Sequence, residues 1–359
     1  MMTGAVQAAA IEPSSMSDTE IKRVLRHHAI NNLVTLSGSD SSPEFEEIIA
    51  NWSCNMRRVG ICPLIWSLDL STHIKLSKGL LGNFHISSIY SDRLLQQQSE
   101  TVQAKFAEST NSFKESGSKG YMSAVAFKPF VMREVIKLGF DLLWIDVDIG
   151  LTRDPRRWFW ARPDQSIQVS LNYPAGQVNS GIVFARHSYG AAQLVDEWAQ
   201  MMAAHDCTGW GCGDQEMLSK LLVKQCKTVT EGKFTLPRKS NQSHMNNNRN
   251  YTLSCNMRAT TGEMKRVHLG LLPPKVFASG MADQLWNSTQ RLRGGLIAYH
   301  ANFWLSPEDK LPGSKKSRLQ GKVINGLPLW CANLPPKNML LSGMNEGHCR
   351  ILEPLDNKI

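Results

Sequence analysis

Apolar positions along this chain fall into two rhythms. Short apolar runs bounded by turn residues fit buried strands, and stripes at three-and-four spacing fit helices. Leu33-Val-Thr-Leu36 predicts a strand, and Ser37-Gly-Ser-Asp-Ser-Ser-Pro43 the turn after it. Residues 44–58 follow as a helix, with acids in the first turn and Arg57 and Arg58 in the last, as the helix dipole favours. Gly60 ends it, and residues 62–68 predict a second strand closing on Asp69. Strand, helix and strand at this spacing make a βαβ unit.

Residues 96–120 are polar and poor in apolar positions, which predicts a mobile loop or insertion. Lys128-Pro129 opens a helix whose face carries Phe127, Val131, Val135 and Leu138, with Gly139 as its stop. Four apolar residues after Asp141 then run straight into Asp146-Val-Asp148. Residues 166–171 and 181–185 predict further strands. Ala191, Leu194, Val195, Trp198 and Met201 form a helical stripe of the kind that faces a core. Gly213-Asp214 opens another helix, 241–258 reads as an Asn-rich loop, and 295–300 is a last apolar strand ending in His300. The first 20 residues are small and polar, and residues 1–30 as a whole read as a disordered leader. Residues after about 325 are Pro-rich and irregular, leaving 31–325 as the folded domain. Strands alternating with helices predict an α/β protein with a mostly parallel central sheet flanked by helices.

Bulk properties narrow the partners. The chain has 359 residues, 42% hydrophobic, a net charge of +9 and a sequence pI near 9.1. Such charge suits nucleic acid, a membrane surface or an anionic small substrate. The basic residues are dispersed, apart from Lys310, Lys315, Lys316, Arg318 and Lys322, and no zinc-finger or RNP-type motif accompanies them, so nucleic acid is set aside. The eight cysteines form no Cys-x-x-Cys pair. Cys207 and Cys212 could close a small disulfide loop. Zinc with His205 is the competing reading, but a second ligand pair at standard spacing is missing. An oxidising compartment is favoured. Asn51, Asn241, Asn250 and Asn287 head N-glycosylation triplets, at a frequency near chance for an Asn- and Ser-rich chain. No transmembrane run or clear signal peptide is present, so membrane association would need a segment not seen here.

The strongest chemical signal is the aspartate pair. Carboxylates at the carboxyl end of a buried strand sit where open α/β sheets bind ligands. Two hard oxygen donors there suit magnesium or manganese, which can hold a diphosphate. The plainer reading makes both aspartates turn formers. Context argues for chemistry: Arg153-Asp154-Pro155 follows, then Asn179-Ser180-Gly181, Gly213-Asp214-Gln215 and His300-Ala-Asn302.

This ordered set resembles the nucleotide-diphospho-sugar transferase family of glycosyltransferases, which includes plant cell-wall arabinosyl- and xylosyltransferases. The resemblance runs from about residue 31 to 322. The family usually reads Asp-Val-Asp-Val-x-Trp-x-Arg-Asp-Pro, where this chain has Ile149-Gly150-Leu151-Thr152 in the middle. Ser306 stands where the family has a glycine before the lysine matched by Lys310.

The resemblance implies a GT-A fold, Rossmann-like in its nucleotide half. It further implies a nucleotide-diphospho-sugar donor such as a UDP-sugar, a glycan or glycoprotein acceptor, retention of configuration, and manganese or magnesium. A Golgi lumen location follows from the same resemblance. Asp146 and Asp148 would bind the metal, with Asp146 also able to reach the donor ribose, and His300 would complete the ligand set. Lys310 and Lys128 would contact the donor phosphates, and Thr35 and Leu36 would lie where the base is received. Asn179, Ser180 and Gly181 would line the sugar, while Asp214 and Gln215 would face the anomeric carbon. Plainer roles compete: a strand-end histidine bonded to backbone, solvated lysines, a turn at 179–181, and Asp214 as a helix cap. A haloacid-dehalogenase-type phosphohydrolase also places Asp-x-Asp after an apolar strand, but on the first strand and with a later acidic pair that this chain lacks. A catalytically degenerate sugar-binding relative is the other alternative.

Overall fold

The thirteen described strands are β1 (Leu33–Ser39), β2 (Leu64–Ser67), β3 (Ser87–Ile89), β4 (Asp141–Ile145), β5 (Ile149–Leu151), β6 (Ile167–Asn172), β7 (Gln177–Ala185), β8 (Val229–Thr230), β9 (Lys233–Phe234), β10 (Tyr251–Arg258), β11 (Met264–Leu271), β12 (Phe277–Ser279) and β13 (Ala298–His300). They come from a computed structural model that describes residues 15–39, 43–78, 86–96, 100, 126–172, 177–204, 213–226, 229–230, 233–234, 251–258, 263–274, 276–279 and 296–300. Eight of them form one sheet in the order β10-β11-β6-β7-β4-β1-β2-β3. Pairing is parallel for β1 with β2 and β4, for β2 with β3, and for β6 with β11. It is antiparallel where β7 enters between β4 and β6, and at the β10 edge.

Central strands such as β2 and β4 are apolar on both sides because both faces of the sheet are covered there. On β4, Leu142 and Trp144 join one core cluster, while Leu143 and Ile145 join the other. Side chains alternate faces along a strand, so a continuous apolar run serves two cores at once. The first core lies under the helices Asp18–His28, Lys128–Lys137, Tyr189–Ala204 and Asp214–Gln225. The second lies under Pro43–Arg58 and Arg156–Trp160. The α/β architecture expected of the sequence is therefore present.

Three local expectations are corrected. Residues 18–28 are not part of a disordered leader but a helix, started by a capping box in which Ser17 and Glu20 satisfy each other's backbone amides. Its inner face buries Ile21, Val24 and Leu25. Residues 37–39 are strand, not turn, because Ser37 and Ser39 are buried and the stretch pairs with β2. Residues 251–258 are strand β10, not loop. Cys255 and Met257 point inward there, and pairing with β11 supplies the backbone partners that the local sequence does not advertise.

Cys226, at the end of the Asp214–Gln225 helix, is disulfide-bonded to Cys255 on β10. Cys54 and Cys62 each take part in a disulfide as well. Asn51 is buried within the Pro43–Arg58 helix, which leaves its glycosylation triplet closed off in the folded chain. The expectations for residues 1–14, for most of 96–120, for 241–250, for Cys207, Cys212 and His205, and for 301–359, including Lys310, lie outside the described residues. Among the described residues, no helix is long and apolar enough to cross a membrane.

Candidate active site

β4 stops at Ile145 because Asp146 turns the chain: the Ile149 amide donates to the Asp146 carbonyl at 3.1 Å. The Asp146 amide itself donates to the Gly181 carbonyl at 2.9 Å, which ties the turn to β7. After the turn, β5 pairs antiparallel with β13, setting His300 opposite Ile149 and beside Asp148. Asn55, from the Pro43–Arg58 helix, holds β5 by both backbone groups of Leu151. Two long-range strand pairings thus bring together residues far apart in the chain.

Asp146, Asp148 and His300 converge there, each offering a ligand atom, all within 4.8 Å of one another. His300 Nε2 lies 3.1 Å from Asp148 Oδ1. Trp144 Nε1 donates to Asp146 Oδ1 at 2.6 Å, fixing that carboxylate from one side. Lys128 Nζ fixes it from another at 3.0 Å. The same ammonium reaches Asp214 Oδ2 at 2.8 Å and the Ser180 carbonyl at 3.1 Å. Three carboxylates against one lysine leave the cluster short of positive charge, with oxygen donors and an imidazole facing one another. Cis ligands of an octahedral ion at about 2.1 Å stand about 3 Å apart, which the His300–Asp148 spacing matches. Carboxylate oxygens suit manganese or magnesium, and the imidazole nitrogen favours manganese of the two. The residues therefore fit a divalent cation.

Electrostatics follow from the burial. Burial by itself would lower the proton affinity of Lys128, but Asp146 and Asp214 outweigh it and hold the ammonium well above its ordinary range. Burial raises the pKa of Asp146 above the usual carboxylate value, against the opposing pull of Lys128.

The sequence-derived residues map unevenly. Asp146, Asp148, His300, Lys128, Asn179, Ser180, Gly181 and Asp214 are brought together, and Gln215 sits next to Asp214 on its helix. Asp214 does not cap that helix; Gly213 holds the cap position, and the Asp214 side chain turns to Lys128. Lys128 directs its three N–H donors at Asp146, Asp214 and Ser180, and so clamps the carboxylates. Thr35 and Leu36 are not at a strand end. Leu36 pairs with Trp144, so continuing the register by two residues puts Gly38 level with Asp146. Leu36 is instead fully buried in the first core.

Trp144, Ser170 and Asn172 were missed by sequence reasoning. A signal for the last two existed: Gln168, Ser170 and Asn172 alternate with Ile167, Val169 and Leu171 in a strand buried on both faces. A polar row buried at period two marks a strand face turned toward a site.

Residues 90–312 match the family model described as nucleotide-diphospho-sugar transferase. No curated protein matches the chain. Among solved structures, the apo form of mouse xyloside xylosyltransferase 1 is similar at 12% identity, over 76% of this chain and 98% of that one, with a TM-score of 0.41. The glycosyltransferase GlyE of Streptococcus pneumoniae TIGR4 is similar at 14% identity, over 52% of this chain and 42% of that one, with a TM-score of 0.31.

Proposed function

The chain belongs to the nucleotide-diphospho-sugar transferase family of glycosyltransferases, and from that premise we propose that it moves a pentose or hexose, with retention of configuration, from a nucleoside-diphosphate donor to a glycan or glycoprotein hydroxyl. A UDP-sugar is the first donor to test. The observation that carries this reading is the convergence of Asp146, Asp148 and His300 at the carboxyl edge of β4. Asp146, Asp148 and His300 would hold manganese or magnesium. When bound, the ion would neutralise charge that grows on the diphosphate as the glycosidic bond breaks.

The protein's own residues then divide the work. Trp144 and Lys128 hold the Asp146 carboxylate in one place, so little reorganisation is needed when a ligand arrives. Lys128 also aims Asp214, whose carboxylate is the candidate to face the anomeric carbon, with Gln215 beside it. A fixed carboxylate there would steady positive charge on the sugar, or attack it as the bond to the diphosphate breaks. In the first route the leaving phosphate would take the acceptor proton. The family match sets aside the phosphohydrolase reading. The Cys226–Cys255 disulfide supports an oxidising compartment, for which the Golgi lumen is the proposal.

Calorimetric titration with UDP, with and without manganese, tests this in wild type and Asp148→Ala. Manganese-dependent binding that the variant loses supports the reading. Absence of binding to UDP and to GDP under both conditions overturns it in favour of a degenerate relative.

A further inference from the structure

A metal-ligating histidine has to present a lone pair, and something has to decide which ring nitrogen carries the proton. Asn179 is in place to do so. Its Oδ1 lies 2.9 Å from the Gly181 amide nitrogen. A backbone N–H is a fixed donor, so the atom facing it is the side-chain oxygen, and the amide cannot be flipped. The other end agrees, since Asn179 Nδ2 donates to Asn172 Oδ1 at 2.9 Å. The same Oδ1 lies 2.9 Å from His300 Nδ1. An amide oxygen only accepts, which requires the proton on Nδ1. In the neutral ring Nε2 then carries the lone pair, and Nε2 is the atom 3.1 Å from Asp148 Oδ1. With the ring neutral, two lone-pair atoms at that distance repel, and either a second ring proton or a bound cation between them removes the repulsion.

Gly181 completes the seat. A Cβ built there would stand 2.3 Å from His300 Cε1 and 2.6 Å from Nδ1, so no larger residue leaves room for the ring in this position. Ser170 Oγ donates toward Asn179, at 2.9 Å to its carbonyl and 3.0 Å to its Oδ1, and holds the residue down.

The geometry points to Asn179 as a positioning residue that acts through His300: it keeps the proton on Nδ1, turns the Nε2 lone pair toward Asp146 and Asp148, and Gly181 leaves the slot that the ring fills. Asn179 and Gly181 were expected to line the donor sugar. Here Asn179 bonds the histidine ring, and Gly181 leaves room for it. The consequence for cation binding rests on the metal reading above, whereas the statement about the ring does not.

The test is imidazole nitrogen NMR on metal-free protein carrying isotope-labelled histidine, with the ring neutral and His300 assigned by His300→Ala. Wild type, Asn179→Asp and Asn179→Leu are compared, and manganese affinity is measured on each by calorimetry. The expected result is an Nδ1-protonated His300 in wild type and Asn179→Asp, and loss of that preference in Asn179→Leu. Manganese binding should weaken about 10–100-fold in Asn179→Leu only. A wild-type His300 protonated on Nε2 overturns the inference without need of any variant. So does a folded Asn179→Leu with unchanged tautomer and affinity. Wild type that binds no manganese while His300 keeps its Nδ1 proton overturns the metal reading and supports the action of Asn179 on the ring.

Discussion

Lys128 Nζ lies 2.8 Å from Asp214 Oδ2, and each residue is the first of its helix. An acid at a helix start is favoured by the dipole, but a lysine there is not. Lys128 is nonetheless almost fully buried. It is tolerated because Asp146 and Asp214 enclose it, and its charge in turn offsets the repulsion between the two carboxylates that it holds close in space. Removing one partner of such a group leaves the others uncompensated. Lys128→Met is expected to cost about 3–5 kcal/mol in urea unfolding. Lys128→Met combined with Asp214→Asn should recover part of that loss. A stability unchanged by Lys128→Met would contradict the clamp.

Gly181 and His300 should behave as one unit. Gly181→Ala places a methyl where the imidazole sits, so manganese affinity should fall at least about tenfold with little change in fold. In a His300→Ala background, which removes the ring, the same substitution should cost nothing further. Additive losses would mean that Gly181 acts on something other than the histidine.

The Cys226–Cys255 bond closes a sequence separation of 29 residues and anchors a helix end to strand β10. Its removal frees the unfolded chain. Chain-entropy reasoning gives a loss of about 3–4 kcal/mol for the double Ser variant. Thermal melts of wild type with and without reductant, against Cys226→Ser/Cys255→Ser, check this. Reductant should shift wild type downward and move the variant less.

His28 offers a pH signature away from the site. Its two ring nitrogens are shut off from solvent, although the residue as a whole is only partly buried. Burial, reinforced by the neighbouring His27, pushes its pKa down to about 4 from the ordinary 6.5. The unfolded state therefore binds a proton that the folded state refuses between these values. Stability should rise with pH across that window, and up to about 3 kcal/mol should be lost as pH falls from 6.5 to 4. His28→Gln should flatten that part of the stability curve. An equally steep curve in the variant would assign the dependence to other groups.

Much of this architecture was open to reading in one dimension. Apolar runs such as residues 142–145 announce strands buried on both faces, because a period-two pattern with no polar partner fits no half-exposed element. Cap residues and stop glycines mark helix limits for a local reason, and Gly139 does adopt the positive φ (97°) that a helix stop uses. The order of Asp146-x-Asp148, Asn179-Ser180-Gly181, Asp214 and His300 was likewise legible, since residue type and sequence do not depend on the fold. The helix 18–28 escaped notice although its Ser17-to-Glu20 capping box was present, and β10 escaped because the Asn-rich residues before it hide the alternation of Leu253, Cys255 and Met257, although its partner strand follows directly in the chain.

What each site residue touches was decided by tertiary structure alone. No spacing reveals that Lys128 directs its donors at two aspartates and Ser180, since the distances depend on helices packing over one end of a sheet. No motif shows that Asn179 faces a histidine 121 positions away, because that contact exists only once β13 pairs with β5 beside β7. Residue identity fixes which hydrogen bonds a side chain can make, and is local. Register, packing and burial decide which ones it does make, and those are properties of the whole folded chain.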